Sequence, residues 1–290
     1  MATKPVLDYL ETEITEFCNL NCRGCCDFSN LATEKKFYEL EEFTRDFRRM
    51  AELFSNIERI RLMGGEPLLN PRLKEYVRTA REIFPVADLR IVSNGLLIPK
   101  LDDDSLQVIK ENRCKFDISN YPPTRKMLPQ IRQRLKAFDI RYDLGFPMNY
   151  FFRNILEHPA DDPAPAYKNC IFSHCHMLNH GTLSPCSYSQ LTVRLNDAFG
   201  LNYTATDCLD IYSDITGEEI IRRFSQPHEF CKCCGRGITP LRWQGGVTRE
   251  KADKYDWLIR DGFLNTTVAP VIQSVLKTPA KLLRARIQKE

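Results

Sequence analysis

The sequence lacks several features that mark large classes of proteins. None of its 290 residues lies in an unbroken apolar run of 18 or more, and the opening MATKPVLDYLETE has no apolar core of a signal peptide. The excess of positive charge is small, because 41 Lys and Arg stand against 38 Asp and Glu. These absences predict a cytoplasmic protein without a membrane span or a nucleic acid partner.

Cysteine, by contrast, is abundant, with 12 residues. Disulfides are rare in the reducing cytoplasm, so metal ligation or catalysis is the leading explanation for so many thiols. Four of them fall within residues 18–26 and three within residues 231–234; the others are Cys114, Cys170, Cys175, Cys186 and Cys208. Two dense groups so far apart in the chain indicate at least two metal sites.

Short apolar segments alternate with longer amphipathic ones up to about residue 150. The apolar segments predict strands at Val6–Thr15, Arg59–Met63, Leu89–Ser93, Lys115–Ser119 and Ile140–Leu144. The amphipathic segments predict helices at Tyr38–Phe54, Pro71–Phe84, Asp104–Asn112 and Thr124–Phe138, with Pro71 in the first turn of its helix. Repeated strand and helix units predict an α/β fold with a parallel sheet, open or closed into a partial barrel.

Polar motifs follow four of these strands at the point where each strand ends. The first cysteine group follows the first strand and the sequence GGEP, at residues 64–67, follows the second. Ser93 and Asn94 end the third strand, and Ser119 ends the fourth. Ligands of parallel α/β folds bind at the carboxyl ends of the strands, so these motifs are expected along one rim.

The first cysteine group has the spacing CxxxCxxC, formed by Cys18, Cys22 and Cys25. Three thiolates can bind three irons of a [4Fe-4S] cluster and leave the fourth iron open to another ligand. This loop after the first strand, together with GGEP after the second, resembles the radical S-adenosylmethionine (SAM) superfamily. The resemblance implies a partial barrel in which the open iron binds SAM, whose reductive cleavage gives a 5'-deoxyadenosyl radical that abstracts a substrate hydrogen.

The resemblance also implies residues for the SAM site. Gly64, Gly65 and Glu66 are expected to bind SAM, and Ser93, Asn94 and Ser119 are weaker candidates for contacts to its ribose or carboxylate. The family usually has an aromatic residue before the third cysteine, where this chain has Gly24. Adenine stacking is therefore expected from elsewhere, with Phe28 as the candidate.

The later cysteines resemble the short auxiliary-cluster domain called twitch, or SPASM-like, of some radical SAM enzymes. Four thiolates can saturate a second [4Fe-4S] cluster, and the expected ligands are Cys170, Cys186, Cys231 and Cys234. Cys175 and Cys233 remain alternates. Zinc is the competing interpretation, bound by some of Cys170, His174, Cys175, His176 and His180, because thiolates suit both metals.

The chain is expected to divide into three parts. Residues 1–165 would form the radical SAM partial barrel, with a Pro-rich linker near its end. Residues 166–240 would form the small Cys-rich auxiliary domain, with Gly181 in a hairpin turn between two ligands. Residues 241–290 would form a helical extension, with a basic helix or tail at Thr267–Glu290.

A closed auxiliary cluster can accept an electron from a substrate, which favours net oxidation. The cysteine layout resembles the aminocyclitol dehydrogenase of butirosin-type antibiotic pathways, so a sugar or aminocyclitol-like substrate is expected. Glu11 and Glu13 share one face of the first strand and are candidates to bind its hydroxyl or amino groups, as is Arg153 by its spacing from Cys170. All three residues can instead form ordinary ion pairs. An external reductant such as flavodoxin or ferredoxin is implied.

Other functions stay open at this point. A carbohydrate epimerase would need a thiol to return a hydrogen atom, for which Cys26, Cys114 or Cys208 are candidates, although Cys114 begins the fourth strand at the end away from the site. A peptide maturase would use the same two clusters, but such enzymes often carry a recognition domain before the barrel, and the first strand begins near residue 6. A zinc-binding interaction module is the non-enzymatic alternative.

Overall fold

The computed structural model describes residues 4–170, 172–204 and 206–260. Its first part alternates strands and helices. The strands are β1 (Val6–Thr15), β2 (Asn56–Gly64), β3 (Asp88–Ser93), β4 (Lys115–Ile118) and β5 (Tyr142–Leu144), and the helices are α1 (Leu40–Leu53), α2 (Leu73–Ile83), α3 (Asp103–Glu111) and α4 (Pro122–Ala137). Each predicted strand and helix of this part is present. Helix α2 begins two residues after Pro71, which therefore precedes the helix instead of lying in its first turn.

These five strands form a continuous parallel arrangement in the order β5-β4-β3-β2-β1. Three short strands, β7 (Met177–Asn179), β8 (Thr182–Ser184) and β9 (Leu209–Asp210), extend the same sheet beyond β1. Strand β7 runs parallel to β1, with Glu11 opposite Met177. The protein therefore has the expected mixed α/β architecture with a parallel sheet.

Alternation along the strands separates two environments. Leu10 and Ile14 of β1, with Ile60 and Leu62 of β2, are fully buried in the core shared with the helices. The intervening positions carry polar and charged side chains, beginning with Tyr9, Glu11 and Glu13 on β1. We call the space on that second side of the sheet the lumen. Its charged lining distinguishes it from an ordinary apolar barrel interior.

A second sheet consists of β6 (Tyr150–Leu156), β10 (Cys234–Arg242) and β11 (Leu258–Ile259). Strand β6 lies in the middle, antiparallel to β10 and parallel to β11. The remaining helices are α5 (Ala164–Asn169), α6 (Ser187–Phe199) and α7 (Gly217–Phe224). Because β6 pairs with later strands and β7 pairs with β1, strand pairing crosses the boundary predicted at residue 165.

The segment 241–260 differs from the helical extension that the sequence predicted. It contains the end of β10, two short 3-10 turns and β11, and it lies against the first cysteine loop. The backbone N–H groups of Gly246 and Val247 donate to the carbonyls of Leu20 and Asn21, at 2.8 and 2.9 Å. The predicted helix or tail at 267–290 lies outside the described residues. Among those described, no helix combines the length and the apolar character needed to cross a membrane.

Candidate active site

The ends of β1 and β2 are held together by two glycines. Gly65 N–H donates to the carbonyl of Thr15 at 2.7 Å, and Glu66 N–H donates to the carbonyl of Phe17 at 3.0 Å. A Cβ on Gly64 would lie 2.1 Å from the Thr15 oxygen, and one on Gly65 would lie 2.1 Å from the Phe17 oxygen. Only glycine permits this approach, which fixes the GGEP segment beside the start of the cysteine loop.

Glu66 then connects the β2 end to the β3 end. Its fully buried carboxylate accepts hydrogen bonds from Ser93 Oγ and Asn94 N–H, both at 2.8 Å, and from Leu68 N–H at 3.1 Å. Burial raises the pKa of Glu66 to about 7, against these hydrogen bonds, which lower it. Three of the expected SAM-binding residues, Glu66, Ser93 and Asn94, are thus joined by hydrogen bonds, and we call this group the Glu66 brace. The Glu66 carboxylate already has hydrogen-bond partners within the protein. Ser119 joins the Glu66 brace through its N–H to the carbonyl of Ser93, at 2.9 Å.

The brace reaches the first cysteine loop through Asn94. The Asn94 side-chain nitrogen lies 3.8 Å from Cys18 Sγ and donates to Asn19 Oδ1 at 2.8 Å. Cys18 Sγ also accepts the Leu20 N–H at 3.4 Å. Cys18, Cys22 and Cys25 lie close enough for their charges to interact, so the structure brings the three predicted ligands together.

Two tryptophans of the segment 241–260 support the same loop. Trp257 Nε1 donates to the carbonyl of Cys25 at 2.8 Å. Trp243 lies beside Cys22 and lowers the pKa of its thiol, although burial raises that pKa more. The Trp243 ring also stacks on Tyr121, with centroids 5.9 Å apart and planes 17° apart. Sequence reasoning missed these residues because their contacts cross more than a hundred positions.

Phe28 differs from its predicted role. Its ring is fully buried in the second core, against Tyr188 at 5.6 Å and Trp257 at 6.0 Å between centroids. No face of the ring is exposed on the rim for adenine. The aromatic pair of Tyr121 and Trp243, beside the cysteine loop, is the better candidate for a stacking surface.

The lumen contains a buried network of charged and phenolic groups. Tyr9 Oη donates to Glu11 Oε2 at 2.8 Å and accepts from Arg61 Nη1 at 2.8 Å. Arg61 Nη2 in turn lies 3.0 Å from Asp117 Oδ2 on β4. Burial raises the pKa of Glu11, with Arg61 and Tyr9 opposing the shift. These side chains occupy alternate positions of neighbouring strands. The same alternation is present in the sequence of the other strands, but the prediction above used it only for β1.

Arg90 on β3 also belongs to this network, because it shares Asp117 with Arg61. It is 8% exposed at its side chain and contacts three carboxylates, those of Asp88, Asp117 and Asp143, at 2.7, 2.6 and 2.5 Å. Both central arginines of the lumen therefore have acidic partners. A buried arginine with hydrogen-bonded carboxylates is stabilised, whereas removal of one partner would leave an uncompensated charge.

Two of the predicted substrate contacts form internal pairs instead. Glu13 makes a two-point contact with Arg194 of α6, at 3.1 and 2.7 Å. Arg153 Nη1 donates to the carbonyl of Tyr255 at 2.7 Å, and its charge interacts with Arg23 and Asp256. Of the three candidates, Glu11 alone remains directed into the lumen network.

The four predicted auxiliary ligands line one cavity. Cys170 follows α5, Cys186 precedes α6, and Cys231 and Cys234 bracket the turn into β10. All four contribute to the wall of a small cavity whose remaining lining is largely aromatic, formed by Tyr167, Phe172, Tyr188 and Phe230. His180 and Gly181, both with positive φ, make the hairpin turn that returns the chain from β7 to β8 and so toward Cys186.

Neither alternate lines this cavity. Cys233 is buried in the second core, and Cys175 has Glu11 and Arg61 as well as Cys170 and Cys186 among its charged neighbours, which places it between the lumen network and the auxiliary thiols. The histidines of the zinc interpretation also have other partners: His176 contacts the Pro185 carbonyl at 3.0 Å, and His180 contacts Glu42 at 2.8 Å. His174 is 70% exposed at its side chain. Within the described ranges, no three His, Cys, Asp or Glu side chains are grouped to hold a single metal ion.

Two side chains lie between the cysteine sites. Glu11 is near enough to Cys26 of the first loop and to Cys175 of the second segment for their charges to interact. Tyr188, which lines the auxiliary cavity, is a neighbour of Cys25 and Cys26 on one side and of Cys234 on the other. The lumen beside Glu11 therefore adjoins both thiol groups.

Comparison with known proteins agrees with this geometry. Residues 12–152, just under half of the chain, match the family model described as Radical SAM superfamily, and this part of the chain belongs to that superfamily. The matched region runs from the end of β1 through β5 and contains the first cysteine loop and the Glu66 brace. Superfamily membership implies SAM and one [4Fe-4S] cluster as cofactors.

Individual relatives match shorter stretches. The chain is 30% identical to GTP 3',8-cyclase of Syntrophomonas wolfei over 121 residues, or 41% of this chain and 36% of that protein. It is 27% identical to GTP 3',8-cyclase of Clostridium perfringens over 143 residues, or 45% and 43% of the two chains. The matches thus span less than half of these curated relatives, which are named cyclases and not the dehydrogenase expected above. Among solved structures the chain is similar to "BtrN in complex with AdoMet and 2-DOIA", with a TM-score of 0.48 and 16% identity over 89% of this chain and 100% of that one.

Substitution of Gly65 by alanine tests the approach of the GGEP segment to the cysteine loop. The added methyl group would meet backbone atoms of Phe17, which cannot turn aside as a side chain can, so Gly65→Ala is expected to cost about 3 kcal/mol or more of stability. Gly200→Ala is the matched control, because Gly200 has a positive φ and open space around it. Its expected cost is about 1 kcal/mol. Urea unfolding of both variants compares them, and equal losses would contradict the backbone clash.

Proposed function

We propose that the protein is a radical SAM enzyme with two [4Fe-4S] clusters that oxidises a small polyhydroxylated substrate, a sugar or an aminocyclitol-like molecule. The observation that carries the proposal is the position of Glu11 between the two thiol groups. When bound, SAM and the first cluster supply hydrogen-atom abstraction, and the second cluster supplies an acceptor for the remaining electron. An external one-electron reductant such as flavodoxin or ferredoxin would serve the first cluster.

The residues present fit these groups. Cys18, Cys22 and Cys25 supply three thiolates to the first cluster, and the Leu20 N–H already donates to Cys18 Sγ, as is common around cluster sulfurs. The rim formed by Gly64, Gly65 and the Glu66 brace adjoins that loop and would hold SAM. Four thiols facing one cavity supply a complete ligand set for the second cluster.

The lumen residues would then bind and orient the substrate. Glu11 presents a buried carboxylate held by Tyr9, and we assign it the acceptance of the hydroxyl proton that the substrate loses on oxidation. Burial raises the pKa of Glu11, which makes its carboxylate a stronger proton acceptor than that of an exposed glutamate. Arg61 holds Tyr9 and Asp117 in place.

A second candidate is a cyclase acting on a nucleoside triphosphate, which is the activity for which the curated relatives are named. The lumen favours a substrate without phosphates, because Arg61 and Arg90 are paired with carboxylates. A triphosphate would have to compete with these carboxylates for the two arginines. An epimerase remains the third candidate, for which Cys26 or Cys175 would be the thiol nearest to Glu11.

Metal content and product analysis test the proposal together. After anaerobic reconstitution, about eight irons and eight sulfides per chain are expected for two clusters. Incubation with reductant, SAM and a panel of polyols, aminocyclitols and GTP should give 5'-deoxyadenosine together with a product lighter by two hydrogen atoms.

Other outcomes separate the candidates. Uptake of solvent deuterium without loss of hydrogen would favour the epimerase, and consumption of GTP would favour the cyclase. Recovery of zinc alone would contradict the enzyme proposal. Recovery of about four irons would leave the radical SAM chemistry and remove the electron acceptor on which the oxidation depends.

A further inference from the structure

Two side chains in the wall of the auxiliary cavity have a buried polar atom without a hydrogen-bond partner among the described residues: Asn154 Oδ1, which can only accept, and His228 Nε2, which can donate. His228 is 6% exposed and lines the cavity together with Cys170, Cys186, Cys231 and Cys234. Its Nε2 atom is buried and has no hydrogen-bond partner among the described residues. The ring is enclosed by aromatic groups, edge-on to Tyr167 at 5.5 Å and to Phe224 at 6.1 Å between centroids.

The backbone holds this imidazole beside one of the thiols. The N–H of Cys231 donates to the carbonyl of His228 at 3.0 Å, which fixes the two residues in one tight turn. The next residues are held by Asp207, whose carboxylate accepts the Phe230 N–H at 2.9 Å. The backbone that carries the imidazole is therefore held in place beside the cavity.

A buried nitrogen without a hydrogen-bond partner is destabilising, and an apolar side chain in the same wall would avoid that loss. The partner must therefore come from whatever fills the cavity. Thiolates and bridging sulfides accept hydrogen bonds and have no hydrogen to donate, so the tautomer with a hydrogen on Nε2 is the one that such an occupant favours.

We propose that His228 donates a hydrogen bond from Nε2 to a sulfur of the auxiliary cluster and thereby raises the reduction potential of that cluster. This inference rests on the second cluster of the proposed function. Reduction adds a negative charge to the cluster, and a fixed N–H dipole stabilises the more negative state. His228 is a positioning residue that tunes the electron acceptor, with no contact to the substrate.

A raised reduction potential suits a cluster that accepts an electron from the substrate. An electron leaving the substrate passes more readily to a cluster whose reduced form is stabilised. The aromatic wall formed by Tyr167, Phe172 and Phe230 excludes water, which strengthens a single hydrogen bond relative to the same bond in solvent.

Redox titration of the reconstituted holoprotein, followed by electron paramagnetic resonance, tests the proposal. His228→Phe keeps a ring of similar size and removes the N–H. At a fixed ambient potential we expect the ratio of reduced to oxidised auxiliary cluster to fall about tenfold, which corresponds to about 59 mV for one electron. His228→Gln, which can donate from its amide, should recover part of the change. The SAM-binding cluster in the same samples serves as the internal reference.

Tyr167→Phe is the matched control in the same wall. Its hydroxyl donates to the Phe224 carbonyl at 3.4 Å, so its loss should leave the potential of the auxiliary cluster unchanged. An equal shift in Tyr167→Phe and His228→Phe would indicate a general packing effect and overturn the assignment. An unchanged potential in His228→Phe, with the cluster present, would also overturn it.

A measurement on the unsubstituted protein covers the case in which His228→Phe fails to fold. Labelling with 15N-histidine should produce a nitrogen coupling in the double-resonance spectrum of the reduced auxiliary cluster, with an exchangeable proton that disappears in deuterated solvent. Absence of both couplings would contradict the hydrogen bond. If iron analysis finds about four irons, the proposed function fails together with this inference, whereas eight irons without the couplings refute the inference alone.

Discussion

Replacement of Cys18 by alanine is expected to stop the formation of 5'-deoxyadenosine and to remove about four of about eight irons per chain. With two thiolates left in the loop, the first cluster loses one of the ligands that hold it next to the SAM rim. The auxiliary thiols are on other segments and should keep their cluster. The measurement is iron content together with chromatography of SAM cleavage products under anaerobic conditions.

Cys26→Ala is the matched control, because Cys26 lies in the same loop and faces Asp27 rather than completing the CxxxCxxC spacing. It should retain about eight irons and form 5'-deoxyadenosine. Retained SAM cleavage in Cys18→Ala, or a loss of half the iron in Cys26→Ala, would refute the ligand assignment. Since Cys26 adjoins Glu11, a defect confined to substrate turnover would instead point to the epimerase candidate.

The barrel part of the fold was predictable because its signals are local. On β2 the alternation of Arg59, Ile60, Arg61 and Leu62 places apolar side chains toward the helices and charges toward the lumen. Each strand ends where this alternation stops, and parallel strands bring their carboxyl ends to one rim. This is why the cysteine loop, the GGEP segment and the Glu66 brace could be expected together.

The second sheet was not predictable on the same grounds. Strand β6 pairs with β10 and β11, so its partners lie about a hundred residues further along the chain. Such pairing is set by the tertiary packing of the whole molecule and leaves no local periodicity. The segment 241–260 likewise has no distinctive pattern, although it supplies Trp243 and Trp257 to the cysteine loop.

The predicted roles of some single side chains were wrong for a related reason. The carboxylate of Glu13 meets Arg194 across 181 positions, and the ring of Phe28 is enclosed by Tyr188 and Trp257. Residue type and strand position identified both as candidates, but the choice between a ligand contact and an internal contact depends on those distant partners. Glu11 differs because two of its partners, Tyr9 and Arg61, lie on the same and the adjacent strand, although a third, Ser187, is distant in sequence.

The adjacent cysteines Cys233 and Cys234 provide the sharpest test of the auxiliary site. Cys234→Ala should lower the iron content from about eight to about four and still permit SAM cleavage, because the first cluster is untouched. The oxidised product should disappear, since no acceptor remains for the second electron. The substrate radical would then be quenched by one electron from the external reductant and one proton from solvent, so that 5'-deoxyadenosine accumulates without a matching oxidised product.

Cys233→Ala changes the neighbouring thiol, which packs in the second core and does not line the cavity. It should lose some stability through its smaller side chain, about 1 kcal/mol, and keep both clusters and the coupling of SAM cleavage to product. If Cys233→Ala loses the iron and Cys234→Ala retains it, the two residues exchange roles and the ligand set is wrong. If neither variant loses iron, the four thiols facing the cavity do not hold a cluster, and the electron acceptor of the proposed oxidation must be sought elsewhere.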